Sequence, residues 1–243
     1  MVGRVRIGQL RSRFEKGKNA AHPDFKNINV TSSSLNKLVT KSGDITTGKE
    51  LSPYYLGPIK DNVTGATSKT FENFWQYGKV WPHLGHAHKE NGVWKIHPKW
   101  YVFRDKGYAD TKAHRRPPEA KRIPASFSFN ENKIRDYLTS RREIYFPYYC
   151  GAIRYTKALQ ALVEMVRDGQ NIMILDCDGP PRADRDTGEV LWPEGMDVSE
   201  IFKMMREPKY PFGHGYVVAL LVWHLANNDD SYRQWMRKLK TRS

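Results

Sequence analysis

The chain has 243 residues, of which 39% are hydrophobic and 12% aromatic, and its formal net charge is +14. This composition is enough for a packed core and excludes a wholly disordered chain. The positive charge predicts a polyanionic partner, either nucleic acid or a phosphate-bearing ligand, although a general solubility charge would give the same total.

Two cysteines, Cys150 and Cys177, are too few for a disulfide framework. The longest apolar run, residues 216–225, is about half of the ~20 residues that a transmembrane helix needs. The N-terminus carries positive charge but lacks the apolar segment of a secretory signal. We therefore expect a cytoplasmic protein that does not contact a membrane.

Residues 1–49 are basic and carry few aliphatic side chains before Val30. We interpret them as an extended N-terminal arm with one short helix at about residues 34–41. Such an arm can lie along a phosphate backbone or remain loosely attached. Residues 229–243 are also basic, and we interpret them as a tail that forms a short surface helix.

The segment 51–59, with the sequence LSPYYLGPI, is apolar but interrupted by Pro53, Gly57 and Pro58. This pattern predicts a strand with an irregular start, or a loop that lines a pocket. Tyr54 lies within the segment and is a candidate for contacting a bound ligand.

The segment 70–79, with the sequence TFENFWQYGK, predicts a helix capped at its start by Thr70 or by a serine just upstream. In a helix, Glu72, Gln76 and Lys79 fall at i, i+4 and i+7 and form one stripe, which Trp75 borders. Such a stripe is either an ordinary solvated face or part of a site.

The folded part also contains a dense basic loop. Residues 93–103 predict a packed loop or an edge strand, and the basic stretches 104–108 and 112–118 follow them. Arg115 and Arg116 lie in the second stretch. The loop faces either a phosphate or solvent.

The second half of the chain predicts helices around one buried strand. The helices are a mixed one at 131–142, a long amphipathic one from Pro147 to Asp168 with Gly169 as its cap, a short one opened by a capping box at 197–200, and a buried one at 216–225. The strand, residues 171–176, ends on Asp176, and Asp178 follows. Carboxylates at the end of an apolar strand are typical of an α/β site or of a strand end that meets solvent.

The sequence contains no Gly-rich phosphate loop and no GxSxG nucleophile motif, so we predict no cofactor. Three histidines at 83, 86 and 88 have no matching ligand pair, so we predict no metal. The sequence instead predicts a carboxylate-based site, in which Glu72 meets Asp176 or Asp178. Lys79 and the loop with Arg115 and Arg116 would be its anion-binding partners.

The segments LSPYYLGPI and SKTFENFWQYGK resemble the opening of the NADAR (YbiA-like) family of N-glycosidases, in which an FSNF…PI pattern precedes a helix with E-x-x-x-Q-x-x-K. Glu72, Gln76 and Lys79 match that spacing, and Ser52, Pro58 and Ile59 match the approach to it. The similarity extends over about residues 50–226. The FENFWQ segment is also similar to a group of unassigned phage and bacterial proteins.

The resemblance implies an α+β fold, with one largely helical NADAR-like domain at 50–228 and a small sheet. It implies cleavage of an N-glycosidic bond in a riboside, such as ADP-ribose attached to a base in DNA or in a nucleotide. Glu72 would be the catalytic carboxylate, supported by Asp176 or Asp178. The residues implied in substrate binding are Tyr54, Trp75, Gln76, Lys79, Arg115, Arg116 and His214.

Two other functions remain open. ILDCDG at 174–179 resembles the first motif of haloacid-dehalogenase-like phosphatases, in which Asp176 and Asp178 would carry the chemistry. Alternatively, the protein binds nucleic acid through its arm and basic loop without hydrolysing it, as an accessory protein of DNA modification. The oligomeric state is open, and a phage-encoded chain would act in the host cytoplasm.

Overall fold

The computed structural model describes residues 1–10, 24–32, 37–40, 43–61, 64–121, 123–180, 186–187, 189, 194–227 and 234. These residues form both helices and small sheets, which confirms the predicted α+β class. Within these ranges, no helix is long and apolar enough to cross a bilayer. The predicted tail at 229–243 lies outside the described residues, apart from position 234.

Short strands and helices are interspersed along the chain. The strands are β1 (Val5–Gln9), β2 (Lys26–Asn29), β3 (Lys37–Thr40), β4 (Gly43–Thr46), β5 (Ile59–Lys60), β6 (Thr67–Ser68), β7 (Lys79–Val80), β8 (Ala87–Glu90), β9 (Val93–Ile96), β10 (Phe127–Asn130), β11 (Lys133–Arg135) and β12 (Ile172–Asp176). The helices are α1 (Thr47–Glu50), α2 (Phe71–Tyr77), α3 (Pro98–Ala109), α4 (Tyr137–Ser140), α5 (Phe146–Ile153), α6 (Lys157–Arg167), α7 (Val198–Met204) and α8 (His214–Asn227). A π-helical segment, Arg141–Tyr145, lies between α4 and α5.

The chain divides into two compact units, and the second is inserted into the first. We call Met1–Ser52 together with Tyr149–Ser243 the terminal unit, and Pro53–Tyr148 the central unit. Helix α5 crosses from one to the other. The predicted single domain at 50–228 contains parts of both units.

A parallel sheet organises the terminal unit. Strand β12 lies in the middle, with β1 and β2 on its two sides. Val5 and Lys26 both align with Ile172. Every residue of β12 is buried, as expected for an apolar strand with neighbours on both edges and α8 packed against it. The predicted buried strand is therefore confirmed.

Two helices of the terminal unit follow from local sequence. Helix α8 packs on β1, β12 and α6, and most of its residues are buried, in agreement with the predicted buried helix. Helix α7 begins with the predicted capping box, in which the Asp197 and Glu200 side chains each accept the other residue's backbone N–H.

The prediction of one long helix from Pro147 is wrong in one respect, because the segment forms two helices. The Thr156 hydroxyl accepts the N–H of Leu159 at 3.3 Å and caps a new helix, α6, after α5 has ended. Gly169 follows α6 with φ +87°, which confirms the predicted left-handed cap.

The prediction of an extended arm is wrong for β1 and β2, which are strands of the sheet. Val5, Ile7 and Ile28 are at most 5% exposed because α8 and its neighbours cover that face of the sheet. These two short segments contain few apolar residues, and they form strands because they pair with β12, which lies far along the chain. The predicted helix near 34–41 is also wrong for β3, which pairs with β4 in a hairpin. Residues 33–36 and 41 lie outside the described part of the chain.

The central unit consists of helices α2 and α3 with short antiparallel sheets. Strand β10 pairs with β7 and β11, β5 pairs with β6, and β8 pairs with β9. Its core contains Trp100 and Phe129, together with Val80 and Ala87. The segment 51–59 is mainly turn and loop, and only Ile59 and Lys60 extend into a strand.

Two predictions for the central unit are partly wrong. The predicted edge strand is confirmed for β9, but residues 98–103 are helical, because Pro98 occupies the first turn of α3 and the His97 side chain caps it. Residues 104–108 therefore belong to a helix. Residues 131–142 begin with a β-turn, since Glu131 and Asn132 have φ of +51° and +57° and connect β10 to β11. Only the later part is helical.

Replacing Ile174 with alanine tests the role of β12. Ile174 is 0% exposed at the centre of the sheet, so Ile174→Ala should lower the free energy of unfolding by about 2–5 kcal/mol. Tyr155→Ala is the control, because Tyr155 is 81% exposed, and it should change the value by less than about 0.5 kcal/mol. Denaturant unfolding measures both. Equal effects would contradict the placement of β12 at the core.

Candidate active site

Helix α2 carries the predicted stripe and is fixed at both ends. The Thr70 hydroxyl accepts the N–H of Asn73 at 3.1 Å, which confirms the predicted cap. Phe71 and Phe74 are buried and anchor the helix in the central unit. The helix ends at Tyr77, so Lys79 follows it as the first residue of β7.

The three polar side chains of the stripe form one hydrogen-bonded series. The Nε2 of Gln76 donates to the Oε1 of Glu72 at 2.9 Å. The Nζ of Lys79 donates to the Oε1 of Gln76 at 2.8 Å. Gln76 thus joins a carboxylate to an ammonium with both ends of its amide. The three residues are adjacent as predicted, but Lys79 lies in β7 and not in the predicted helix.

Burial gives this series its electrostatic character. Glu72 is only 7% exposed, while Gln76 and Lys79 are partly buried. Burial lowers the pKa of Lys79 to about 8; the negative charge of Glu72 opposes this shift, and the positive charge of Arg116 adds to it. The Nζ of Lys79 also lies 5.0 Å from the ring centroid of Trp75, a cation–π contact. Lys79 and Arg116 therefore form a positive region beside the carboxylate.

Asn73 attaches the basic loop to α2, and the sequence patterns did not identify it. Its Nδ2 donates to the carbonyls of Asp110 at 3.0 Å and Lys112 at 2.9 Å. Its Oδ1 accepts the N–H of His114 at 2.8 Å. The side chain is 0% exposed. A polar residue between two buried phenylalanines, Phe71 and Phe74, was the signal that could have revealed it.

The predicted anion-binding arginines lie just after the attached segment. Arg115 and Arg116 are exposed. The Nη1 of Arg116 donates to the carbonyl of Lys121 at 2.9 Å, which holds that side chain within the loop. Tyr54 is partly buried in the turn that follows Pro53, whose carbonyl accepts the N–H of Glu72 at 2.8 Å.

The predicted acidic residues of the terminal unit lie at the start of α8. Asp176 is 2% exposed, and its Oδ1 and Oδ2 accept the N–H groups of Cys177 and Gly215, each at 2.7 Å. The Nε2 of His214 lies 2.8 Å from the carbonyl of Val30, and its Nδ1 lies 3.6 Å from Asp176 Oδ2. Both oxygens of Asp176 thus bind backbone N–H groups, and one of these, that of Gly215, lies in the first turn of α8, where a negative charge is favoured.

Asp178 lies near the same helix start. A Cβ on Gly213 would come within 2.4 Å of Asp178 Oδ2 and 2.6 Å of Asp176 Oδ2. Glycine at this position therefore lets the chain pass close to both carboxylates.

The structure thus brings the predicted residues together in two groups, one in each unit. Glu72, Trp75, Gln76, Lys79 and Arg116 belong to the central unit. The second group is Asp176, Asp178 and His214, in the terminal unit. The expected meeting of Glu72 with the two aspartates stays a prediction. Among the described residues, no group of His, Cys, Asp and Glu side chains is arranged to hold a metal ion.

Comparison of the chain with known family models, with curated proteins and with solved structures gives no match. The resemblance to the NADAR family therefore rests on its quoted residues and stays a prediction. What the site can do follows from its side chains. A buried carboxylate beside cations and an indole ring is suited to stabilising a developing positive charge in an anionic, ring-containing ligand.

Replacing Asn73 with alanine should release the basic loop from α2. Asn73→Ala removes both donors and the acceptor, so amide hydrogen exchange at His114 should become at least about tenfold faster. Asn73→Asp is the matched variant, because it keeps the acceptor for His114 and loses the two donors. It should give an intermediate rate. Unchanged exchange in Asn73→Ala would show that other contacts hold the loop.

Proposed function

We propose that this protein is a divergent member of the NADAR family that hydrolyses the N-glycosidic bond of a riboside. The substrate class that fits best is ADP-ribose attached to a base in DNA or in a nucleotide. One observation carries the proposal: the E-x-x-x-Q-x-x-K residues of α2 and the start of β7 form a continuous hydrogen-bonded series from a buried carboxylate to a cation. The proposal includes the fold that is expected for that family.

Glu72 is assigned the chemical step. Breaking the bond between C1′ of ribose and a base nitrogen develops positive charge on the sugar, which a nearby carboxylate stabilises. A water molecule adds its oxygen to C1′ and gives a proton to Glu72. The base leaves with the bonding electron pair and takes up a proton. The amide of Gln76 holds the carboxylate in position through its bond to Oε1.

Lys79 and Arg116 are assigned to the diphosphate. The two cations are close enough that Arg116 contributes to lowering the Lys79 pKa. The repulsion between two like charges in the free protein is relieved when an anion binds between or beside them. A diphosphate supplies that anion, and the net charge of +14 favours a substrate that also carries a nucleic-acid backbone.

Binding of DNA without hydrolysis is the second candidate function. The observation that favours it is the exposure of Lys112, Arg115 and Arg116 on a loop that Asn73 holds in place. An ordered basic loop of this kind contacts phosphates without reading the bases. The two functions are compatible in one protein, and only the appearance of a cleaved product separates them.

Replacing Glu72 with glutamine should abolish turnover while preserving the fold. Glutamine has the same shape and keeps an oxygen for the Gln76 amide, but it cannot take the proton from water. The rate of ADP-ribose release from an ADP-ribosylated oligonucleotide, followed by mass spectrometry, should fall by about 10²–10⁴-fold or more.

Glu90→Gln is the control for this variant, because Glu90 is an exposed carboxylate on β8 of the same unit. It should keep the wild-type rate. Wild-type release by Glu72→Gln, with an unchanged circular dichroism spectrum, would remove Glu72 from the mechanism.

The pH dependence of activity should report the charge of Lys79. Its pKa is lowered to about 8, so the side chain is cationic below that pH and neutral above it. If the cation binds the diphosphate, kcat/KM falls as pH rises through about 8. Lys79→Arg should extend activity to higher pH, because a guanidinium stays charged throughout this range.

Lys89→Arg is the matched control for the pH profile. Lys89 is exposed, and its Nζ lies 5.4 Å from the ring centroid of Trp94, so it repeats the cation–π contact away from the stripe. Its pH profile should match the wild type. If kcat/KM falls at high pH in the same way in Lys79→Arg and in the wild type, a group other than Lys79 is responsible for the fall.

A further inference from the structure

The part of the basic loop that follows α3, residues 110–116, is closed into a turn by one side chain. Asp110 Oδ1 accepts the N–H of Lys112 at 2.8 Å, and Asp110 Oδ2 lies 2.7 Å from Nε2 of His114. An ionised carboxylate can only accept hydrogen bonds, so Nε2 of His114 carries the hydrogen and donates it. Asp110 therefore binds the second and the fourth residue after it and holds the chain between them in place.

His114 also fixes this turn to α2. Its backbone N–H donates to Oδ1 of Asn73 at 2.8 Å, and its ring stands edge-on to Tyr77, with centroids 5.9 Å apart. The side chain of His114 is 19% exposed, whereas Arg115 and Arg116 directly after it are exposed. His114 is thus the partly buried residue that immediately precedes the two arginines, and its position determines theirs.

The charges around His114 favour this arrangement. The hydrogen bond from His114 lowers the pKa of Asp110, and the N–H of Lys112 lowers it further, so the carboxylate stays ionised. Glu119, in the 3₁₀ helix that follows the arginines, also interacts electrostatically with His114. Tyr77 is uncharged, because burial raises its pKa to about 12. The two acidic groups therefore offset part of the repulsion among the positive charges of the loop.

We infer that Asp110 and His114 are positioning residues that hold the two arginines as a binding site for a diphosphate group. The choice of a diphosphate rests on the proposed function, in which Arg116 acts beside Lys79. Ordering a loop costs free energy when a ligand binds. The bond between Asp110 and His114 already orders this loop in the free protein, so the diphosphate meets arginines that are in place.

The chemistry of the two arginines fits adjacent phosphoryl groups. A guanidinium binds phosphate oxygens through paired N–H donors. Arg116 donates one N–H to the carbonyl of Lys121 at 2.9 Å, and a guanidinium has further donors for an anion. A phosphodiester of DNA offers the same oxygen atoms, but a diphosphate places two phosphoryl groups side by side on one ligand. The experiment below compares these two sources of phosphate.

The test is calorimetric binding of ADP-ribose to the full-length protein, which requires no catalysis. His114→Ala removes the bond to Asp110 and should weaken binding by about tenfold, because the ligand must then order the loop. His114→Gln should bind within about threefold of the wild type, since its amide nitrogen can donate to Asp110 from a similar position. His83→Ala is the control, because His83 is an exposed histidine of the same unit, and it should bind as the wild type does.

Asp110→Ala separates positioning from charge. The variant removes a negative charge beside the arginines, so by charge alone it should tighten the binding of an anion. We expect binding of ADP-ribose to weaken by about as much as in His114→Ala, because the loop loses the same bond. The double variant should then bind no more weakly than either single variant, as for two residues that act through one contact.

Amide NMR of the wild-type protein gives a result that does not depend on any variant folding. ADP-ribose should shift the amide signals of Arg115 and Arg116, whereas adenosine, which has no phosphate, should not. Unshifted signals at these two residues would overturn the inference, and so would tighter binding by Asp110→Ala. If His114→Ala weakens the binding of a plain oligonucleotide and not that of ADP-ribose, the loop binds backbone phosphates and the diphosphate site is wrong.

The same measurements distinguish this inference from the proposed function. Binding of ADP-ribose that depends on His114, without hydrolysis of ADP-ribosylated DNA, would support the diphosphate site and count against the hydrolase. Hydrolysis by the wild type, with unchanged binding of ADP-ribose by His114→Ala, would do the reverse.

Discussion

The amide of Gln76 is the contact on which the candidate site depends. It joins Glu72 to Lys79 by hydrogen bonds of 2.9 and 2.8 Å, so a buried carboxylate and a partly buried ammonium are held in fixed positions. Charges removed from water are costly unless each has hydrogen-bonding partners. The same bridge fixes the direction in which the Glu72 carboxylate points. A site of this kind exists before a ligand arrives, which is the condition for electrostatic stabilisation of a transition state.

The sequence alone was sufficient to predict features that depend on residues close together in the chain. Each of these features involves residues within a few positions of one another. They are the cap at Thr70, the alignment of Glu72 with Gln76 and Lys79, the capping box of α7 and the buried strand β12. Helical spacing and cap residues specify such features directly. The α+β class, which the resemblance implied, agrees with the helices and small sheets of the described residues.

Features that depend on distant residues were missed. Strands β1 and β2 contain few apolar residues, and they are strands because they pair with β12, more than 140 positions away. Asn73 looks like an ordinary polar residue in the sequence. Its role comes from a loop 37 to 41 positions further on. The sequence also did not indicate that Asp176 accepts the N–H of Gly215, or that His214 lies beside the carbonyl of Val30.

The position of the oxygen taken from water tests the central claim most directly. The protein is incubated with an ADP-ribosylated oligonucleotide in ¹⁸O-labelled water, and the products are analysed at once by mass spectrometry. Hydrolysis of the N-glycosidic bond predicts an unlabelled free base or oligonucleotide and one ¹⁸O on the released ADP-ribose sugar. Label in a phosphate group would instead indicate phosphatase chemistry. An oligonucleotide that still carries its ADP-ribose after prolonged incubation would contradict the hydrolase.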